Sequence, residues 1–112
     1  MAMHVSDVGE LLLKRGRGTT FQPTLEAGGI DHAVLRIVTG DRWSLAPVPA
    51  GGLSLLVLDG VATCGTDDLR ESMGTGHLMI FDEGERLEIV NDGEGAFIAL
   101  ATRLSLLEED AL

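Results

Sequence analysis

His32 and Arg36 are the polar pair in this sequence that comes closest to a binding or catalytic site. They lie four residues apart in a run that has the composition of a β-strand. Residues an even number apart on a strand share one face, so both side chains lie on the side of Val34 and opposite Leu35. If that face turned inward, the arginine fork and the histidine could bind a carboxylate. The sequence favours the alternative, a pair on the protein surface.

The remaining reactive side chains are weaker candidates. His77 has no second histidine or cysteine at a useful spacing on its strand and is expected to be a turn residue. Asp82, Glu83 and Glu85 lie together without the spacing of a calcium loop, which indicates a solvated acidic turn. Cys64 is the single cysteine and has no histidine or lysine near it in sequence, so we expect an inert, half-buried thiol and no disulfide.

The elements that must position these residues are short strands. Apolar runs of about four to eight residues, separated by turn residues such as Gly40-Asp41 and Asp59-Gly60, predict an all-β sandwich or barrel of about 8–10 antiparallel strands. The predicted strands cover residues 20–26, 32–39, 42–48, 53–58, 61–64, 69–73, 77–81, 87–91 and 95–103. Asp7 and Glu10 have capping-box spacing and predict a short N-terminal helix at about residues 7–14. The length of 112 residues suits one domain.

A glycine-based motif covers residues 76–91. Its spacing resembles the second motif of the cupin family, with Gly76, Gly84 and Asn91 at the two glycine positions and the asparagine position. The family's proline position holds Asp82, and its metal-binding histidine position holds Leu87. Glycines can be fixed by the backbone conformation of turns, whereas a histidine ligand is fixed by chemistry. The pattern therefore indicates a fold that was kept while its metal chemistry was lost.

Residues 57–60 resemble the end of the first cupin motif, a Val-Leu-x-Gly turn. Counting back from Gly60 places the family's glutamate ligand at Leu53. The two histidine ligands fall at Ala46 and Val48 or at Pro47 and Pro49. All four expected ligand positions, Leu87 included, are thus apolar, and transition metals need nitrogen, oxygen or sulfur donors. We expect no metal and no other cofactor.

The resemblance to small single-domain cupins extends over about residues 20–103 and implies a jelly-roll barrel, often paired into a homodimer. If the former ligand positions keep their inward direction, the interior is lined by Ala46, Val48, Leu53, Leu55, Val57, Leu87 and Ile89. Such an interior is either packed shut, which the sequence favours, or a narrow pocket for an apolar or weakly polar ligand. The candidate ligand-binding residues at the interior or mouth are His32, Arg36, Trp43, Val48, Leu53, Leu55 and Leu87.

The net charge of −10 is concentrated in residues 57–112. An acidic surface repels phosphate backbones and anionic lipid, so neither nucleic acid nor a membrane is an expected partner. No apolar run reaches the roughly 18–20 residues that span a bilayer, and the first residues lack the layout of a signal peptide. With Cys64 alone, a cytoplasmic location is expected.

Leu56 and Leu58 indicate an oligomer. They are expected on the outer face of their strand, yet they are as apolar as the inward Leu55 and Val57. Something must cover them: the N-terminal helix of the same chain, or the matching sheet of a second chain. We favour the second chain and predict a homodimer.

Three functions remain open from the sequence. The leading hypothesis is a metal-free, non-catalytic, homodimeric module that binds a small molecule or has a regulatory role. The second is a metal-independent isomerase, epimerase or lyase that uses His32, Arg36 or carboxylates at the barrel mouth. The third is a metalloenzyme with ligands from other positions, such as His32 and His77.

Overall fold

A computed structural model describes residues 19–27 and 30–104, with the backbone alone for residues 22–27, 30–31 and 104, and this part of the chain forms nine strands. The strands are β1 (Thr20–Ala27), β2 (Ile30–Ile37), β3 (Arg42–Leu45), β4 (Leu53–Asp59), β5 (Val61–Gly65), β6 (Arg70–Gly74), β7 (Leu78–Phe81), β8 (Leu87–Val90) and β9 (Phe97–Leu104). Every strand predicted from the sequence is present, and the all-β prediction is confirmed. The predicted N-terminal helix at about residues 7–14 lies outside the described residues.

The strands form two antiparallel sheets. One has five strands in the order β1-β2-β9-β4-β7, and the other has four in the order β3-β8-β5-β6. Sequence neighbours are frequently separated in space, since β9 lies between β2 and β4, and β8 lies between β3 and β5. These crossovers bring residues far apart in the chain onto adjacent strands at the barrel mouth.

The core lies between the two sheets. On the central strands, alternate side chains point into the core, because successive side chains of a strand lie on opposite faces. The largest buried apolar side chains are Phe97, Leu35, Ile37, Leu55, Leu87, Ile89, Val48 and Val57. Burial of each large aliphatic side chain stabilises the fold by about 1.5–3 kcal/mol.

Strand β3 ends earlier than predicted. The sequence predicts a strand over residues 42–48, whereas the structure ends β3 at Leu45. Pro47 and Pro49 lack the backbone N–H that a strand ladder uses, which explains the early end. Ala46, which precedes a cis bond to Pro47, is exposed, so its expected inward direction is wrong.

Asn91 is a buried polar clamp in the core. Its Nδ2 donates to the backbone oxygens of Ile37 and Gly95, both at 2.8 Å, and its Oδ1 accepts from the Gly93 N–H at 3.0 Å. One side chain thereby joins the end of β2 to the turn between β8 and β9. The motif position held by Asn91 has a structural role here, because its amide groups are hydrogen-bonded to the backbone.

The motif glycines meet backbone demands. Gly76 has φ of 89° and Gly84 has φ of 86°, both in the left-handed region. Gly60, with φ of 87°, is also packed so tightly that a Cβ atom would collide with the backbone oxygen of Ala96. The glycines therefore fix turns of this fold and carry no information about a ligand.

Among the described residues, no helix is long and apolar enough to cross a membrane.

Candidate functional site

Three of the positions expected to hold a metal in a cupin point into the barrel but carry no donor. Val48, Leu53 and Leu87 are 2%, 4% and 0% exposed. Leu53 and Leu87 lie on the inner faces of β4 and β8, beside Leu55 and Ile89. The inward direction predicted from the resemblance is thus confirmed for these residues.

The residues present do not fit a transition metal. Aliphatic side chains at Val48, Leu53 and Leu87 offer no nitrogen, oxygen or sulfur donor. In the described part of the chain, no three histidine, cysteine, aspartate or glutamate side chains are grouped so that they could hold a metal ion. His32 and His77, the alternative ligands considered from the sequence, are not brought together, because His32 lies on β2, whereas His77 precedes β7, and β9 and β4 lie between those strands.

A cavity of about 470 Å³ opens at the mouth of the barrel. We call it the mouth pocket. It lies between the sheets on the side of the edge strands β1 and β3. Its lining consists of Phe21, His32, Ala33, Trp43, Ser44, Leu45, Pro49, Leu53, Ala101 and Arg103. The volume falls in the range of small-molecule sites, and the lining is largely apolar, as such sites are.

A pair of small residues makes room for the mouth pocket. Ala33 on β2 and Ala101 on β9 are direct partners in the antiparallel ladder, and both are buried. The ladder partner of Ala101 on its other neighbouring strand, β4, is Leu55, a core residue with a larger side chain. Further into the barrel, β2 and β9 carry Leu35 and Phe97 on the same inner face. The core is therefore packed at one end and open at the other, where two methyl groups replace larger side chains.

Two aromatic rings form one wall of the mouth pocket. Phe21 on β1 and Trp43 on β3 are stacked, with ring centroids 5.2 Å apart and planes 14° from parallel. Their strands are the edge strands of the two sheets, so the stack bridges the sandwich where no ladder joins it. Phe21 is 40% exposed. This wall offers aromatic surface to an apolar ligand.

Arg103 is the functional candidate that the sequence reasoning missed. In β9, Phe97, Ala99 and Ala101 are buried and alternate with less buried residues. Arg103 continues this inward row at the mouth, and its ladder partner on β4 is Leu53. Counting the period of two along β9 from the apolar Phe97 would have found it.

His32 lies at the rim of the mouth pocket but is turned toward the outer face of the sheet. Its Nδ1 is 3.0 Å from the Oγ1 of Thr102, its ladder partner on β9. Arg36 is two ladder positions past Val34 on the same outer face and does not line the pocket. The structure thus places His32 and Arg36 on the outer face of β2, both half-buried, and does not bring them together at the mouth pocket.

The seven candidate ligand-binding residues divide into three groups. His32, Trp43 and Leu53 line the mouth pocket. Val48, Leu55 and Leu87 belong to the packed core behind it. Arg36 lies apart from both. Both interior alternatives are therefore present, a packed core and an open pocket at its mouth.

The other reactive side chains have structural surroundings. His77 is exposed, and its Nδ1 accepts a hydrogen bond from the Gly74 N–H at 2.8 Å, as expected for a turn residue. Glu85 likewise accepts from the Asp82 N–H in the exposed acidic turn. Cys64 is 3% exposed, more buried than predicted, and desolvation raises the pKa of its thiol to about 12.

A scan of protein-family models finds no match to this sequence, and a search of curated proteins finds none either. Solved structures do match. An uncharacterised conserved protein with a double-stranded β-helix domain from Klebsiella pneumoniae is 17% identical, with a TM-score of 0.80 over 93% of this chain and 91% of that chain.

Two further solved structures carry the cupin description. A Cupin 2 conserved barrel domain protein from Salinispora arenicola is 16% identical, with a TM-score of 0.74 over 99% of this chain and 96% of that chain. The Cupin_2 domain of an XRE family transcriptional regulator from Enterobacter cloacae is 13% identical, with a TM-score of 0.68 over 77% of this chain and 95% of that chain. Likeness at these identities shows the fold, and the fold of this chain is the cupin jelly-roll.

Proposed function

We propose that this cupin-fold protein binds a small organic molecule in the mouth pocket and uses neither a metal nor a catalytic residue. The observation that carries the proposal is the conversion of the barrel mouth: the ladder pair Ala33 and Ala101 opens a cavity of about 470 Å³ beside Leu53, where the family pattern has a ligand glutamate. A site that has lost its donors but kept an open, apolar volume suits binding without metal chemistry.

A sensing or regulatory role is part of the proposal. The neighbour from Enterobacter cloacae is a domain of a transcriptional regulator, which gives a precedent for this fold in regulation. We also propose a cytoplasmic location, supported by the unpaired Cys64 thiol in the core.

Trp43 provides a direct test of binding. It is the only tryptophan, the chain has no tyrosine, and its ring lines the mouth pocket. Titration with an eight-carbon probe, as the neutral amide octanamide or the anion octanoate, should change its emission in a saturable way. Failure of both probes to change the emission would overturn the proposed function.

A pocket-filling variant shows where the probe binds. Ala101→Leu places a larger side chain in the mouth pocket and should abolish the saturable change while leaving a folded protein. Leu100→Met is the control, because it alters a residue of β9 on the outer face that does not line the mouth pocket. Equal binding by Ala101→Leu and the control would remove the mouth pocket as the site.

We also propose that the protein is a homodimer, on the basis of one apolar outer face. The outward side chains of β4 and β7 are uncharged apart from Asp59 at the end of β4, and their apolar members are well exposed. Leu56, Leu58, Leu78 and Ile80 are 36%, 37%, 62% and 73% exposed. The four-stranded sheet differs: Glu88 on its outer face pairs with Arg70 at 3.0 Å and with Arg42 at 3.6 Å.

A second copy of this chain is the partner that suits this face. The chain carries a net charge of −10, so two copies repel each other, and a face with few charges is where they can approach with the least close-range repulsion. An uncharged apolar face is complementary to itself, as a twofold interface requires. Apart from Asp59 at the end of β4, the outward positions of β4 and β7 offer no charged group to a charged partner.

The mass in solution tests the dimer. Light scattering should give twice the 11.8 kDa of one chain, and Ile80→Glu should give the monomer, because it places a charge on the proposed interface. Val61→Glu is the control, since Val61 is 49% exposed but lies on β5 in the four-stranded sheet. A wild-type mass near that of one chain would leave another segment as the cover and overturn the dimer.

A further inference from the structure

Val34 is buried on the face of the five-stranded sheet that points away from the core. On β2, Ala33, Leu35 and Ile37 point into the core, so Val34 points outward, and it is not part of the core cluster. It is nevertheless 2% exposed. The four-stranded sheet lies on the opposite side of β2 and cannot cover it.

A position inside the sheet does not account for the burial of Val34. Ser54 and Thr102 also point outward from interior strands, β4 and β9, and their side chains are no larger than that of valine, yet both are only half-buried. Toward the β7 edge the face opens further, since Ile80 is 73% exposed. The structure contains a single chain, so these exposures point to a cover over β2 that belongs to the same chain.

The segment before Thr19 is well placed to reach Val34. The Oγ1 of Thr19 accepts a hydrogen bond from the Val38 N–H at 3.2 Å, so this segment meets the sheet just past the end of β2. The next residue, Thr20, pairs with Arg36, which is two residues from Val34. The segment therefore joins the sheet next to the buried position.

The other segments outside the described residues suit the position less well. Residues 28–29 only connect β1 to β2. Residues 105–112 leave β9 after Leu104, whose ladder partner Ile30 is four residues from Val34. Three of these eight residues are acidic, and carboxylates are costly to bury against an apolar side chain.

The sequence of the N-terminal segment has the pattern of a covering helix. Val8, Leu11 and Leu12 form one apolar stripe if residues 7–14 are helical, as the capping-box spacing predicts. Such a helix is about 12 Å long, and residues 32–36 of β2 extend over about 13 Å. The predicted stripe thus matches the length of the strand that needs a cover.

We propose that residues 1–18 fold back onto the five-stranded sheet at Gly16 and Gly18 and pack an apolar helix over Val34. Glycine allows the backbone conformations that a tight reversal needs. The outer face is thereby divided: the chain's own N-terminal segment covers β2, and the exposed residues of β4 and β7 stay open to a second copy. Neither ligand binding nor the dimer is needed for this contact.

Thiol labelling of Val34→Cys tests the cover. The wild-type protein, whose single cysteine is the buried Cys64, gives the background. Val34→Cys alone should react slowly. Adding Leu12→Glu places a charge in the stripe and should make the reaction at least about tenfold faster, because labelling follows the fraction of molecules in which the cover is open. Leu13→Glu is the matched control, since it adds the same charge off the stripe and should leave the rate unchanged.

A crosslink tests the contact directly. Leu12→Cys combined with Val34→Cys should form a disulfide under mild oxidation, and the product should migrate as one chain in a non-reducing gel. Leu13→Cys combined with Val34→Cys is the control and should form far less. Migration as two linked chains would show that the segment covers the partner copy, and it would overturn the contact within one chain.

The other outcomes also decide the proposal. Fast labelling of Val34→Cys alone would show an open face. Slow labelling after Leu12→Glu in a folded protein would show that neighbouring side chains of the sheet bury Val34. Faster labelling only when the chain ends at Leu104 would make the C-terminal segment the cover. If Val34→Cys unfolds, Leu12→Glu in the wild-type chain should lower the thermal midpoint and Leu13→Glu should not, and equal midpoints would overturn the proposal.

Discussion

Leu87 is a core residue at a position that binds a metal in the cupin pattern. It occupies the histidine position of the cupin pattern, is 0% exposed and pairs with Leu45 across β3 and β8. An imidazole there would be buried among apolar side chains without its partner ligands. What the position contributes in this protein is packing.

Truncation of the inward leucines should therefore be costly. Leu55→Ala and Leu87→Ala should each lower the free energy of unfolding by about 2–5 kcal/mol, because both side chains are fully buried. Leu69→Ala, at a residue that is 61% exposed, should change it by less than about 0.5 kcal/mol. Urea denaturation measures all three, and an unchanged midpoint for either core variant would place that side chain outside the core.

Restoring the missing histidine should not restore a metal. Leu87→His should lower the thermal midpoint, since it buries a polar ring without a donor set around it. Zinc added to the variant should leave that midpoint where it was. A zinc-dependent rise would show that other donors reach this position.

Cys64 should be unreactive in the folded protein. Desolvation raises the pKa of its thiol from the ordinary 9.0 to about 12, so between these pH values the folded state keeps the neutral thiol that the unfolded state loses. Stability associated with this group is present below pH 9.0 and is lost as the pH rises toward 12. A thiol reagent at pH 8 should label Cys64 only after denaturant is added, and rapid labelling of the native protein would contradict its burial.

The strands show how much of the fold was predictable. Alternation and turn residues located all nine strands, and the boundaries differ by a few residues. The C-terminal end of β3 depends on Pro47. Because Pro47 has no N–H to join the ladder, the strand ends before it, although the apolar pattern continues to Val48. Local sequence therefore predicts strands well, but a strand's end depends on whether each residue can join the ladder.

The Asn91 clamp should matter to the elements it joins. Asn91→Ala removes the side chain that is hydrogen-bonded to Ile37, Gly93 and Gly95, and it should cost about 2–4 kcal/mol because buried backbone groups lose their partners. Glu94→Gln, at an exposed neighbour, is the control and should have little effect. Thermal melts measure both. A loss no larger than that of the control would mean that water replaces the amide without cost.

The mouth pocket could not be predicted at the level of single strands. Its volume arises because Ala33 and Ala101 are ladder partners although they are far apart in the chain, and that pairing depends on the order of strands in the sheet. The resemblance identified Leu53 as a former ligand position, but only the register places Arg103 beside it. The volume and the lining of the pocket therefore depend on the strand order of the whole molecule and cannot be read from any one strand.

The two outer faces differ in the same way. The exposed apolar residues of β4 and β7 and the Arg42–Glu88–Arg70 ion pairs lie on opposite sides of one sandwich. Surface ion pairs contribute little to stability, but they mark a face that remains in water. The contrast supports one interface, on the five-stranded sheet, and one solvated face.

The metal content of the protein tests the central claim most directly: a cupin barrel whose mouth is built for an organic ligand in place of a metal. Protein without an affinity tag, dialysed against a mixture of Mn²⁺, Fe²⁺, Ni²⁺ and Zn²⁺ and then desalted, would be measured by elemental analysis. The account predicts metal far below one ion per chain, because Val48, Leu53 and Leu87 provide no donor atoms. Retention of any of these metals near one ion per chain would contradict it.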